Sequence, residues 1–201
     1  MKRLLITGFE PFGGESINPS WEAVRRLPEK MGGYSLTKIC IPVIFGQAAE
    51  QVLRAAQGLC PDAILCIGQA GGRDAITPEM VAINLRHASI PDNGAYQPKD
   101  EPIIAGGETA YFSTMPVRRM AEAICVSGVA SRVSYSAGAY VCNDVLYTLL
   151  RHFNGTKTRV GFVHIPYCKE QNKEPSMSID DIIKGLIVAI ESIEGQKIET
   201  P

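Results

Sequence analysis

Short runs of Leu, Ile and Val alternate along this chain with longer stretches of helical periodicity, and no other feature restricts its fold as much. Apolar runs of this length read as strands buried on both faces. Strands of that kind interleaved with helices belong to a mostly parallel sheet. The runs lie at residues 4–7, 36–43, 63–67, 132–135 and 159–164. Candidate helices lie at residues 19–27, 47–57, 117–127, 143–153 and 179–193, the last opened by Ser178 as N-cap with Asp180 and Asp181 in its first turn. The order predicts a single-domain α/β fold, a three-layer α/β/α sandwich with a largely parallel, mixed central sheet. At 201 residues, 45% of them apolar, the chain has enough for one core, and residues 1–201 are read as one domain with a frayed tail over 195–201.

Two segments interrupt the alternation, residues 68–84 and 90–111, and the second carries turn signals at Pro91-Asp92-Asn93-Gly94 and Gly106-Gly107. Inserts of this length in a compact domain serve as binding loops or subunit contacts. The 90–111 segment is expected to make a subunit contact.

Charge narrows the partners. Lys and Arg total 20 against 21 for Asp and Glu, without a basic run, which argues against nucleic acid or an anionic membrane surface as partner. The start, Met-Lys-Arg-Leu-Leu-Ile-Thr-Gly, has too short an apolar stretch for a signal peptide or a spanning helix. Six cysteines occur without a C-x-x-C pair, so neither a zinc site nor a redox dithiol is signalled, and a reducing, cytoplasmic location is expected.

Ligands of open α/β sheets sit beyond the carboxyl ends of the strands, and several chemically unusual residues fall there. Cys142 follows Ser136-Ala137-Gly138-Ala139-Tyr140-Val141 and stands at or just before a helix start, where free amides and the helix dipole favour a thiolate. His164 ends the last apolar run, and Pro166 stops the pairing just after it. His152 lies about 15 Å further along the same helix as Cys142, and His87 has no sheet-end anchor. Glu79 follows Thr77-Pro78 on a third sheet-end loop. Taken singly, a strand-end His, a helix-start Cys and a lone Glu are commonly structural. Together on one sheet edge they form a nucleophile, base and orienter set. Phe9 and Phe12, on a loop stiffened by Gly and Pro, either wall a flat apolar pocket or fill the core. The other five cysteines read as inert.

At these residues the chain resembles the pyroglutamyl peptidase type I family of cysteine peptidases. The resemblance runs from Gly8-Phe9-Glu10-Pro11-Phe12-Gly13-Gly14 to His164-Ile165-Pro166-Tyr167. It includes Gly68-Gln69-Ala70-Gly71-Gly72-Arg73 with Thr77-Pro78-Glu79, and Ser136-Ala137-Gly138-Ala139-Tyr140-Val141-Cys142-Asn143. It implies an omega-peptidase that releases N-terminal pyroglutamate from peptides, with Glu79, Cys142 and His164 matching the family's triad. It also implies a lactam pocket to which Phe9, Phe12, Gln69, Ile90, Tyr140 and Val141 correspond, with Asn18 beside it. No metal or organic cofactor and a homotetramer are implied as well. Three positions depart from the usual pattern: Met80, where a basic residue is common, Ser89, where Arg is common, and Val43, where Thr is frequent. A related thiol amidase of other acyl specificity, or a silent binder of pyroglutamyl ligands, remains open on the same residues.

Overall fold

Leu4, Leu5 and Ile6 are fully buried, as a strand covered on both faces requires. In this computed structural model, which describes residues 1–194, that strand is the centre of the sheet; the expected fraying of 195–201 lies outside the described residues. In chain order the elements are β1 (Lys2–Phe9), α1 (Pro19–Arg26), β2 (Lys30–Met31), β3 (Tyr34–Ile41), α2 (Gln47–Leu59), β4 (Ala63–Gln69), β5 (Thr77–Pro78), β6 (Val81–Ile83), β7 (Ala110–Phe112), α3 (Val117–Val126), α4 (Val141–His152), β8 (Arg159–Ile165), β9 (Tyr167–Cys168), β10 (Ser176–Met177) and α5 (Ile179–Glu191).

The main sheet has the order β2-β3-β1-β4-β8-β5. Its four inner strands are parallel, and the short edge strands β2 and β5 are antiparallel to their neighbours. Successive residues of each strand point to opposite faces. Leu4, Ile6, Leu65, Ile67, Val163 and Ile165 pack on one side with α1, α3 and α5. Leu5, Ile64, Cys66, Val160 and Phe162 pack on the other with α2 and α4. The expected three layers are therefore present. Asn18 caps α1 by accepting from the Ser20 amide at 3.0 Å, and Ser178 caps α5 by accepting from the Asp181 amide at 3.1 Å, with Asp180 and Asp181 in the first turn.

One expected strand is not there. Residues 132–135 form no sheet strand; the segment touches the edge only at isolated bridges, Ser131 with Ile76 and Ser134 with Glu79. Its neighbour β5 is two residues long and contains Pro78, which lacks an N–H, so a continuous ladder cannot form. The bonds that remain, from the Ser134 amide to the Pro78 carbonyl at 3.0 Å and from the Met80 amide to the Ser134 carbonyl at 2.8 Å, hold the segment against Glu79.

The 90–111 segment folds back onto the sheet-end loops. Asp92 closes its turn by accepting from the Gly94 and Tyr96 amides, both at 2.9 Å, and reaches the Phe45 amide at 2.9 Å with its other oxygen. Asn93 donates to Glu10 Oε1 at 2.8 Å and to the Pro11 carbonyl at 2.9 Å, which ties the insert to the Phe9–Phe12 loop. Among the described residues, no helix is long and apolar enough to cross a membrane.

Candidate active site

Cys142 is the second residue of α4, two residues after an N-cap, Tyr140, that is extended and gives no side-chain capping bond. The first amides of the helix thus have no side-chain acceptor and face the sheet's carboxyl edge. The next residue fixes this helix end. Asn143 is fully buried and bonds like a strand, accepting from the Ile83 amide at 3.0 Å and donating to the carbonyls of Ile83 at 2.9 Å and Leu85 at 3.0 Å.

His164 is the sixth residue of β8 and is paired on one side with Gly68 and on the other with Thr77. Gly68 is where strand and helix meet: a methyl group there would stand 3.0 Å from Cys142 Sγ and 2.7 Å from the Phe162 ring. The missing side chain is what lets the sulfur pack over the sheet at the residue paired with His164. Phe162 packs its ring 4.7 Å from the imidazole, centroid to centroid, and limits its tilt.

Glu79 is fully buried just past β5, with its amide donating to the Phe162 carbonyl at 2.9 Å. Its Oε1 lies 2.7 Å from His164 Nδ1. The same oxygen accepts from Arg73 Nη1 at 2.7 Å, while Arg73 also donates to Thr77 Oγ1 at 2.5 Å and to the Ser136 carbonyl at 3.2 Å. Oε2 is buried without a hydrogen-bond partner among the described residues, although the nearby Ser134 hydroxyl also favours the ionised carboxyl.

Burial opposes charge on every member of this group. It pushes Glu79 up, but the hydrogen bond and charge of His164, the Ser134 hydroxyl and the Arg73 guanidinium outweigh it and hold the carboxyl below its ordinary value. Burial pulls His164 down, and Glu79 opposes this only in part. Cys142 is pushed up to about 12, first by burial and then by the negative charge of Glu79. The expectation that the helix start would lower this thiol toward thiolate is therefore corrected. The amides and Arg73 act in that direction, but they are outweighed by the wall of apolar side chains around a half-buried sulfur. Burial thus disfavours charge on Cys142 and on His164, while its partners hold Glu79 toward the carboxylate.

Beside Cys142 opens a narrow slot lined by Phe9, Phe12, Asn18, Val43, Gln69, Tyr140 and Val141. Six of the seven residues expected around a lactam ring are brought together there. The exception is Ile90, which lines an adjoining, wider cleft of about 510 Å³ that shares Phe12 and Tyr140 with the slot, together with Ser89 and His87. Asn18 reaches the slot while capping α1, its amide donating to the Glu10 carbonyl at 2.9 Å. Gln69 Oε1 is held by Gln171 at 2.9 Å. Phe9 and Phe12 answer the question the sequence left open: Phe9 is buried and also belongs to the core, whereas Phe12 is only partly buried. The roles of Arg73, Asn143, Phe162 and Gln171 were not assigned from the sequence. The signal for Asn143 was a polar pair, Asn143-Asp144, on an otherwise apolar helix face. Nothing local distinguished Arg73.

Comparison with known proteins agrees with this geometry. The model of the pyroglutamyl peptidase family matches residues 2–196. The pyrrolidone-carboxylate peptidase of Levilactobacillus brevis is 47% identical over 198 residues, covering 95% of this chain and 97% of that protein. That of Thermococcus onnurineus is 45% identical over 195 residues, covering 94% of this chain and 98% of its own. The crystal structure of Bacillus amyloliquefaciens pyroglutamyl peptidase I superposes with a TM-score of 0.92 at 44% identity, covering 96% of this chain and 97% of that one. A narrow aromatic slot beside a cysteine at a helix start, on a fold shared over nearly its whole length with these enzymes, places the chain in the pyroglutamyl peptidase family of cysteine peptidases.

Proposed function

We propose that the protein is a cysteine omega-peptidase that hydrolyses the amide bond after an N-terminal pyroglutamyl residue, with Cys142 as nucleophile, His164 as base and Glu79 as its orienter. The observation that carries the assignment is the buried Glu79–His164 contact at 2.7 Å, next to Gly68, whose bare backbone makes room for Cys142 Sγ at the mouth of the slot. Pyroglutamate has no free amine, so its pocket needs flat apolar walls and few polar groups. Phe9, Phe12, Val43, Tyr140 and Val141 supply the walls, and Asn18 and Gln69 the polar groups.

Because Glu79 is ionised, its Oε1 accepts a hydrogen bond from the Nδ1–H of His164, which leaves Nε2 unprotonated and able to act as a base. Cys142 Sγ attacks the scissile carbonyl carbon as its proton passes to Nε2. The carbonyl oxygen takes the negative charge and is met by the uncapped amides at the start of α4. Collapse of this intermediate breaks the C–N bond, and the imidazolium returns the proton to the departing amine. A thioester to Cys142 remains. Water then attacks it with His164 again taking the proton, and pyroglutamate leaves as the thiol is restored. Because the resting thiol is neutral, proton transfer and attack are coupled.

Activity is tested by release of a chromogenic amine from its pyroglutamyl amide, under reducing conditions without added metal, by wild-type protein and by Cys142→Ala. Turnover in the first and none in the second supports the assignment. A folded wild-type protein whose Cys142 alkylates but which releases no amine overturns it.

We further propose a cytoplasmic location and a homotetramer. Six unpaired cysteines suit a reducing compartment, and Phe112, 71% exposed on β7 beside the 90–111 insert, suits a subunit contact. A Phe112→Asp variant with the same solution mass as wild type defeats the contact.

A further inference from the structure

The placement of Arg73 goes beyond the three residues of the proposed triad. Glu79 is fully buried, and one of its two oxygens takes both donors, His164 Nδ1 and Arg73 Nη1, each at 2.7 Å. The guanidinium is itself fixed from three sides, by Glu79, by Thr77 Oγ1 at 2.5 Å and by the Ser136 carbonyl at 3.2 Å. A buried carboxylate whose only neighbour is an imidazole can relieve its uncompensated charge in two ways. It can take a proton from solvent, or it can draw the base into a permanent imidazolium ion pair. Either outcome removes the free lone pair that a base needs.

We propose that Arg73 is a positioning residue for the base: by sharing Oε1 of Glu79 with His164, it keeps the carboxylate charged while the imidazole remains neutral. The inference rests on the peptidase reading above. A fixed positive charge on the shared oxygen does two things. It supplies the countercharge that Glu79 would otherwise obtain only from a protonated His164, so the carboxylate survives burial without consuming the base. It also repels a proton on the imidazole, so the base stays competent to lower pH. The charged group acting on both members of this pair is Arg73, from the loop after β4; Cys142 from α4 interacts with Glu79, and Cys66 on β4 acts on Cys142 behind it. Arg73 is the only cation acting on His164 among the described residues. The hydroxyls of Thr77 and Ser134 complete the surroundings.

The same arrangement explains why a guanidinium stands here. One planar group reaches a carboxylate, a hydroxyl and a carbonyl at once, which a lysine ammonium at the end of a flexible stem does less well. Lysine restores the charge and only part of the geometry.

The test compares wild type, Arg73→Met and Arg73→Lys. The pH dependence of kcat/KM is followed on the pyroglutamyl amide, and the titration of His164 is followed by NMR in the Cys142→Ala background, with only three histidines to resolve. Arg73→Met is expected to lose tenfold or more in kcat/KM, and to move both the acid limb and the His164 midpoint to higher pH by about half a unit or more. Arg73→Lys is expected to return both most of the way while recovering only part of the rate. A lower rate with limb and midpoint unmoved would make Arg73 a structural brace and overturn the proposal, as would a shift to lower pH. Should Arg73→Met not fold, Arg73→Lys and Arg73→Gln carry the same comparison. A wild type without Cys142-dependent turnover defeats the peptidase reading alone, because the His164 midpoints still decide the role of Arg73.

Discussion

Gly68 is paired with His164 on the neighbouring strand, and its bare backbone is where the sulfur of Cys142 packs against the sheet. A Cβ at residue 68 would meet Phe162 Cζ at 2.7 Å and Cys142 Sγ at 3.0 Å. Gly68→Ala is therefore expected to push the Phe162 ring and the sulfur away from the imidazole. The predicted cost is about 1–3 kcal/mol of stability from overpacking, with a loss of kcat greater than the loss of binding. Thermal unfolding and steady-state kinetics on the pyroglutamyl amide check it; a variant with wild-type kcat contradicts the placement of Cys142 beside His164.

Glu79→Gln keeps the shape of the side chain and removes its charge. An amide oxygen or an amide N–H can then face Nδ1, so the tautomer is no longer fixed, and the Arg73 guanidinium loses its counterion. By analogy with other triads, kcat is expected to fall roughly 10²–10⁴-fold. Pyroglutamate, as a product inhibitor, should bind about as before, since Glu79 does not line the slot.

Stability should fall on mild acidification. The folded value of His164 lies below its ordinary 6.5, so between the two the unfolded chain binds more protons than the folded one. The stability this group contributes is complete above pH 6.5 and is lost as pH falls toward the folded value. Glu79, also held low, adds a second loss below its ordinary 4.5. The thermal midpoint is expected to decline from pH 7 to pH 5, and the decline to be shallower in His164→Gln. Equal slopes in the two proteins exclude His164 as the source.

Asn143 substitutes for a strand at the helix start. Asn143→Ala leaves one amide and two carbonyls of residues 83 and 85 without their buried partner, at an expected cost of about 3 kcal/mol. Because the same side chain docks the first turn of α4, kcat should drop even where the variant is folded. Chemical denaturation and kinetics below the new midpoint separate the two effects.

How much of this was legible beforehand can be followed residue by residue. The apolar runs at 4–7, 63–67 and 159–164 are strands, and the helical period after Cys142 marks α4, because these signals depend only on neighbours along the chain. The run at 132–135 departs for the complementary reason: a strand exists only if its neighbour offers a continuous ladder, and β5, two residues long with Pro78, offers only an interrupted one. Ile90 was placed among the slot residues and lies instead in the wider cleft, on a loop whose course is set by Asp92 and Asn93 bonds to distant residues.

The ionisation of the site was the least legible. A helix start argues for a thiolate, and at the level of local sequence nothing opposes it. The opposing effect is desolvation by side chains from distant parts of the chain, among them Phe9, Phe12, Val43 and Val141, which meet only once the chain has folded. The sequence by itself determined the layers of the sandwich, the helix whose start lies at Cys142 to within a residue or two, and which residues end on the sheet's carboxyl edge, since periodicity and turn chemistry are properties of short segments. Only the tertiary structure decided that Arg73 shares an oxygen with His164, that Gly68 makes room for the sulfur, and that the thiol rests neutral. Distance and dielectric between residues far apart in the chain are set by packing.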